Sequence, residues 1–150
     1  MHPILPWKLF QRGEFRDYDK DRKRHALYII GITAVVNLYG KKDLDMDELV
    51  AKHVHHPIAD GVSVDAAPLL RIATEMAMHI CGGGRVLTVC HAGRNRSGLM
   101  SALIVRELHA CSGLEALAIV RAGRPRAVAN KVFEDFLGSL KPKLEGGIHA

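Results

Sequence analysis

The sequence predicts an α/β layered fold with a mostly parallel sheet. Two observations carry that expectation. Short apolar runs rich in β-branched residues, at 32–38 and 86–89, alternate with helical patterns at Ala66–Cys81 and 99–108, as strands joined by helical crossovers do. The second run leads straight into Cys90-His91-Ala92-Gly93-Arg94-Asn95-Arg96-Ser97-Gly98, and a helical pattern leads straight out. Strand, tight glycine-containing loop and helix N-terminus together form an anion cradle, because successive backbone N–H groups point inward and the helix dipole adds partial positive charge.

The 150 residues, 48% apolar and 25% charged, suffice for one ordinary domain spanning 1–150, with 1–7 and 141–150 expected as frayed termini. A net charge of +5 suits an anionic substrate or partner. The three cysteines, Cys81, Cys90 and Cys111, are odd in number and irregular in spacing. They point to reduced thiols and a cytoplasmic setting rather than a disulfide framework. The first residues lack a basic stretch followed by a long apolar one, and no apolar run approaches membrane-spanning length, so neither a secretory leader nor membrane insertion is expected.

Taken in order, residues 4–10 alternate loosely and predict a short edge strand made irregular by Pro3 and Pro6. Residues 16–23 are dense in charge of both signs and predict a solvated loop or helix start. A short helix over 25–30 ends at Gly31, a natural C-cap. The run at 32–38 predicts a strand buried on both faces. Asp43, Asp45, Asp47 and Glu48 fail as a calcium loop, because Glu48 and Val54 stand where glycine and glutamate are required. Acids opening a helix over 47–52 are the better account. His53 and His55 share one face of a strand over 53–58. No cysteine or carboxylate sits at metal-site spacing from them, so no metal is assigned. In the loop at 59–65, Ser63 or Asp65 is positioned to cap the helix Ala66–Cys81, which carries Pro68 in its first turn and an apolar stripe including Leu69, Ile72, Met76 and Ile80. A near-continuous apolar helix over 98–110 follows the cradle. Ser112 and Glu115 form a capping box for a helix to about 122. A last helix over 130–140 turns Val132, Phe133, Phe136, Leu137 and Leu140 inward.

The cradle also carries a nucleophile. Cysteine attacks as thiolate, and inward N–H groups, a helix N-terminus and Arg96 all favour the anion. The planar fork of Arg96 can hold two phosphoryl oxygens. Gly93 turns the backbone without a Cβ entering the cradle, and Ser97 can hydrogen-bond the Cys90 sulfur. The leaving oxygen needs a proton from a group outside the loop. Asp60 is the candidate, on a Gly-containing loop at a strand end, where α/β sheets place ligands. Asp65 is second, its oxygens being expected to cap a helix. Substrate-binding positions are His91, Ala92, Gly93, Arg94 and Asn95.

At these residues the chain resembles the cysteine-dependent protein tyrosine phosphatase superfamily, whose signature is His-Cys-x5-Arg-Ser/Thr, and most of all its small dual-specificity members. The resemblance extends to residues 31–38, to Asp60 thirty residues before Cys90, and to 121–130 with Arg124-Pro125 and Asn130. It implies a three-layer α/β fold with a central, mostly parallel sheet of four to five strands and helices on both faces. It also implies hydrolysis of phosphotyrosine and phosphoserine/threonine monoesters on phosphorylated proteins or peptides, through a cysteinyl-phosphate and with no metal or cofactor. In this scheme Cys90 is the nucleophile, Arg96 the phosphate-binding and transition-state group, Asp60 the general acid and base, and Ser97 the thiolate support. Val89 stands where the family has His. Arg94 and Asn95 add polar groups to the loop: extra basic groups there occur in lipid phosphatases of the superfamily, and Gly-x-Asn-Arg resembles RNA 5′-phosphatases. With Arg121, Arg124, Arg126 and Lys131 as a basic group, RNA 5′-phosphates or phosphoinositides are the alternative substrates. A phosphate-binding module without turnover is the third reading.

Overall fold

The computed structural model describes residues 1–143. The elements are β1 (His2–Leu5), β2 (Leu9–Gly13), α1 (Lys20–Ile30), β3 (Ala34–Asn37), α2 (Leu44–Leu49), β4 (Lys52–His55), α3 (Ala66–Cys81), β5 (Val86–Cys90), α4 (Arg96–His109), α5 (Gly113–Gly123) and α6 (Lys131–Gly138). One five-stranded sheet has the order β1-β2-β5-β3-β4. Among the described residues only the β1–β2 pair is antiparallel; β5 runs parallel between β2 and β3, and β3 parallel to β4.

Alternation along the strands sorts side chains between two cores. Ala34, Val36, Val86 and Cys90 face α3, α4, α5 and α6 in the larger cluster. Val35, Leu87 and Val89 face the other way, packing with Leu27 of α1 and Met46 of α2. Helices therefore cover both faces, and the three-layer α/β expectation stands with five strands. The central strand β5 is buried throughout, as a near-continuous apolar strand with neighbours on both sides should be. Its C-terminal residue is Cys90.

Several expected boundaries move. Residues 1–7 are not frayed, and 4–10 are not one edge strand. Pro6 ends β1, Trp7 turns the chain at a positive φ of 61°, and Lys8 N–H donates to Leu5 O. The chain then enters β2, which pairs on both sides. The first helix begins at Lys20 instead of 25, because Asp19 caps it by accepting from Arg22 N–H; Gly31 closes it in the left-handed region as expected. The second helix begins at Leu44, not 47, because Asp43 caps it by accepting from Asp45 N–H. In α6, Phe133 and Leu137 point inward, but Val132 is 40% exposed. The expected fraying at 141–150 falls largely on 144–150, which lie outside the described residues. Lys141 is tied by its carbonyl to Arg106, and Lys143 pairs with the buried Glu107.

Candidate active site

The carboxyl ends of β2, β5 and β3 bring three segments together. They are the loop after Cys90, the loop after β4 that carries Asp60, and the stretch 124–130 ahead of α6.

The loop at 90–96 is shaped by what holds its carbonyls. His91 O accepts from Glu14 N–H at 3.2 Å, and Arg94 O accepts from Val128 N–H at 3.2 Å. Gly93 O accepts twice, from Gln11 Nε2 at 3.0 Å and from Arg124 Nε at 3.3 Å. A trans peptide points its N–H opposite its C=O. Each carbonyl turned outward therefore turns the next N–H, those of Ala92, Arg94 and Asn95, toward the concave side. Gly93 makes this tight turn possible. Its φ is 69°, and a Cβ would sit 2.3 Å from the backbone of Arg12 and Gly13. No residue with a Cβ fits there without moving β2.

Cys90 is 2% exposed, and its Sγ lies in hydrogen-bond contact with Ser97 Oγ at 3.3 Å. Thr88 braces the start of α4 against β5, its Oγ1 lying 2.9 Å from Ser101 Oγ and donating to Ser97 O at 3.3 Å. Arg96 Nη1 donates to Ile58 O at 3.2 Å. Its Nε is buried with no partner among the described residues, which leaves a charged donor beside the loop for an oxyanion.

Asp60 is brought to the loop. Its Oδ2 accepts from Asn95 Nδ2 at 3.3 Å, and its Oδ1 accepts from Asn130 Nδ2 at 3.1 Å. Asp65 is the N-cap of α3 by position, but its side chain makes no cap hydrogen bond. The expectation that capping occupies its oxygens is therefore wrong. What separates the two carboxylates is that Asp60 touches a loop residue. Of the substrate-binding positions, Gly93 is buried, whereas His91 and Ala92 are exposed. The His91 side chain leans outward onto Glu14, Nδ1 to Oε1 at 3.1 Å.

Val89 packs with Phe15, Val35 and Met46 on the face of the sheet away from Cys90. The loop is held from the interior by Gln11 and Arg124, which both donate to Gly93 O. Gln11 was not singled out in the sequence; it is a fully buried amide next to the buried apolar Leu9 and Phe10 of β2, and a polar residue following that apolar pair was the available signal. The basic group is mostly structural. Arg121 donates to Ala127 O and Val128 O and pairs with Glu134, Arg124 holds Gly93 O, and Lys131 pairs with Asp135. Arg94 Nε donates to Arg126 O, beside a cleft of about 450 Å³ lined by Arg94, Arg121 and Arg126 with Pro125, Ala127 and Ala129.

His53 and His55 are occupied otherwise. His53 Nδ1 lies 2.9 Å from Asp47 Oδ1, and His55 Nε2 lies 2.9 Å from Tyr39 O. The His53 contact, with help from Lys42, holds the Asp47 carboxyl below its usual range.

No family model matches the chain, and no curated protein sequence does. Solved structures do. Human DUSP28 is 22% identical over 92% of this chain and 93% of its own, with a TM-score of 0.76. DUSP15 is 21% identical over 91% and 84%, at 0.74. The phosphatase Tk-PTP in its active form is 26% identical over 86% and 90%, at 0.72. The chain has the fold of the small dual-specificity and tyrosine phosphatases. Among the described residues no helix is long and apolar enough to cross a membrane.

Proposed function

We propose that this chain is a cysteine-dependent phosphatase that hydrolyses phosphotyrosine and phosphoserine/threonine monoesters on proteins or peptides. The observation that carries the reading is the convergence at one loop: a buried sulfur against Ser97 Oγ, carbonyls turned outward, the Arg96 guanidinium, and Asp60 tethered to Asn95. Neighbours in fold whose names mark them as phosphatases support it.

In the first step the Cys90 thiolate attacks phosphorus and the P–O bond to the leaving group breaks. Asp60 gives its proton to the departing oxygen, which leaves as an alcohol or phenol. Loop N–H groups and Arg96 stabilise the charge on the equatorial oxygens during transfer. In the second step water attacks the cysteinyl-phosphate, Asp60 takes its proton, and the P–S bond breaks. Ser97 Oγ–H then donates to the departing thiolate. A cleft of about 390 Å³, lined by Glu14, Phe15, Arg16, Tyr39 and Lys41 among others, borders the loop through Glu14, which pairs with His91. It offers aromatic walls and mixed charge to the ester's organic part.

The test is hydrolysis of an aryl phosphate by the parent and by Cys90→Ser. Loss of at least about a thousandfold in kcat is expected when the nucleophile goes. Equal activity in both sinks the reading, and background rates in both leave a phosphate-binding module. A second reading, the same chemistry on RNA 5′-phosphates or phosphoinositides, is favoured by the cleft lined by Arg94, Arg121 and Arg126, which has no acidic lining residue among the described residues. Faster turnover of either than of phosphopeptides in a substrate panel would select it.

A further inference from the structure

Asn95 occupies the N-cap of α4, yet its side chain makes no cap hydrogen bond. An asparagine at that position ordinarily turns its side-chain oxygen onto the N–H groups of the first turn. Here both ends of the amide are spent elsewhere. Oδ1 accepts from Ala129 N–H at 2.9 Å, and Nδ2 donates to Asp60 Oδ2 at 3.3 Å. Asn130, next after Ala129, does cap its helix, with Oδ1 accepting from Val132 N–H at 2.9 Å, while Nδ2 donates to Asp60 Oδ1 at 3.1 Å. One amide therefore grips each carboxyl oxygen, and the two amides are linked through the backbone at Ala129. The three segments at the mouth of the site close on a single carboxylate.

We propose that Asn95 and Asn130 are positioning residues for Asp60, a clamp that fixes the direction in which its carboxyl delivers and receives the proton. This rests on the phosphatase reading above. The chemistry allows it. A carboxyl group offers about four lone-pair sites, so one amide on each oxygen leaves a second site on each free to carry the transferred proton. Asp60 itself is exposed, on a loop with little packing to hold it. Without the amides its carboxyl would sample many rotamers, and proton transfer tolerates little misplacement. The clamp also joins catalytic loop and acid loop directly, so the acid's position follows the loop that binds the phosphoryl group.

The test uses leaving-group dependence, which a merely structural role would not produce. General acid assistance matters for a poor leaving group such as the tyrosine phenol and little for an activated phenol. Asn130→Ser keeps a capping oxygen for α6 and removes the donor to Asp60. Asn95→Ala removes the other donor; because Asn95 also belongs to the phosphate-binding loop, its readout is the ratio of the two rates and not either rate alone. Each variant is measured for kcat on a phosphotyrosine peptide and on difluoromethylumbelliferyl phosphate. For Asn130→Ser the expected fall is about tenfold on the first and under about twofold on the second, a fraction of the ~10²-fold that a whole general acid supplies; for Asn95→Ala the ratio of the first rate to the second falls by about the same factor. In an Asp60→Asn background the same changes should leave the ratio of the two rates untouched. A partly unfolded variant loses both rates equally, so the ratio is protected from that confusion. Parallel losses on both esters, or none, overturn the clamp while the phosphatase reading stands. No hydrolysis of either ester by the parent overturns both.

Discussion

The catalytic loop and the acid-bearing loop meet at the same site but are built in opposite ways. The loop at 90–96 hangs from the interior. Cys90 is the last residue of a fully buried strand, Gly93 is itself buried, and the Gly93 carbonyl is pinned by the wholly buried Gln11. The loop at 59–65 has mostly exposed residues, and Asp60 is held by two side-chain amides. The contrast follows from what each must do. Stabilising a developing dianion needs dipoles that do not reorganise, and burial supplies that rigidity. Delivering a proton needs a group that can trade hydrogen bonds with substrate and water, which an exposed, tethered carboxylate can do.

Arg96→Lys is the strongest way to break this contrast. Lysine keeps the charge but loses the planar fork and the buried Nε. We expect kcat to fall by about 10²–10³-fold, as when a preorganised oxyanion donor is lost, with thermal stability nearly unchanged. A fall below tenfold would mean that the loop works as a diffuse positive field, not as a fixed set of donors. Asp60→Asn comes next, acting on the exposed side of the comparison. The expected loss in kcat on a phosphotyrosine peptide is about a hundredfold, with KM close to the parent's because binding lies in the other loop. Unchanged turnover would move the acid role elsewhere, and Asp65, whose side chain is not occupied in capping, is the first place to look.

How much of this was legible in the sequence divides along the same line. The catalytic loop is one contiguous stretch, and its shape follows from Gly93, Arg96 and the flanking strand and helix, all local signals. The layered α/β fold was equally legible, since buried strands and amphipathic helices announce themselves by period. The supports of the loop were not. Gln11 lies 82 residues from Gly93, and Asn130 lies 70 residues from Asp60. No periodicity links such pairs; only the sheet order β2-β5-β3 and the packing of α6 bring them together. Helix starts were misplaced for a smaller reason. At 43–47 acids crowd the chain, and the one that caps, Asp43, accepts from Asp45 N–H and is held by Lys23, twenty residues away, a pairing that only the fold creates. Asn95 takes the N-cap position of α4, but tertiary contacts with Ala129 and Asp60 divert its side chain.

The smallest expected effect is the sharpest about how the buried side of the contrast works. Gln11 is fully buried, gives Nε2 to Gly93 O and has no partner for Oε1 among the described residues. Gln11→Met removes one hydrogen bond, worth about 1 kcal/mol net, and also the unsatisfied oxygen, whose burial costs about 1–3 kcal/mol. The two terms oppose each other at similar volume, so the melting temperature should shift by no more than a few degrees. The loop, however, loses one of two donors that turn the Gly93 carbonyl outward, and with it part of the constraint on the Arg94 N–H. Arg124 alone, at 3.3 Å, holds the peptide less firmly. We therefore expect kcat on an aryl phosphate to fall severalfold, within the range that one weakened preorganised donor can cost, while stability barely moves. A large drop in melting temperature with unchanged kcat would assign Gln11 to the core alone. It would also mean that the rigidity of the loop comes from Gly93 and the backbone contacts of His91 and Arg94, without help from the interior of the sheet.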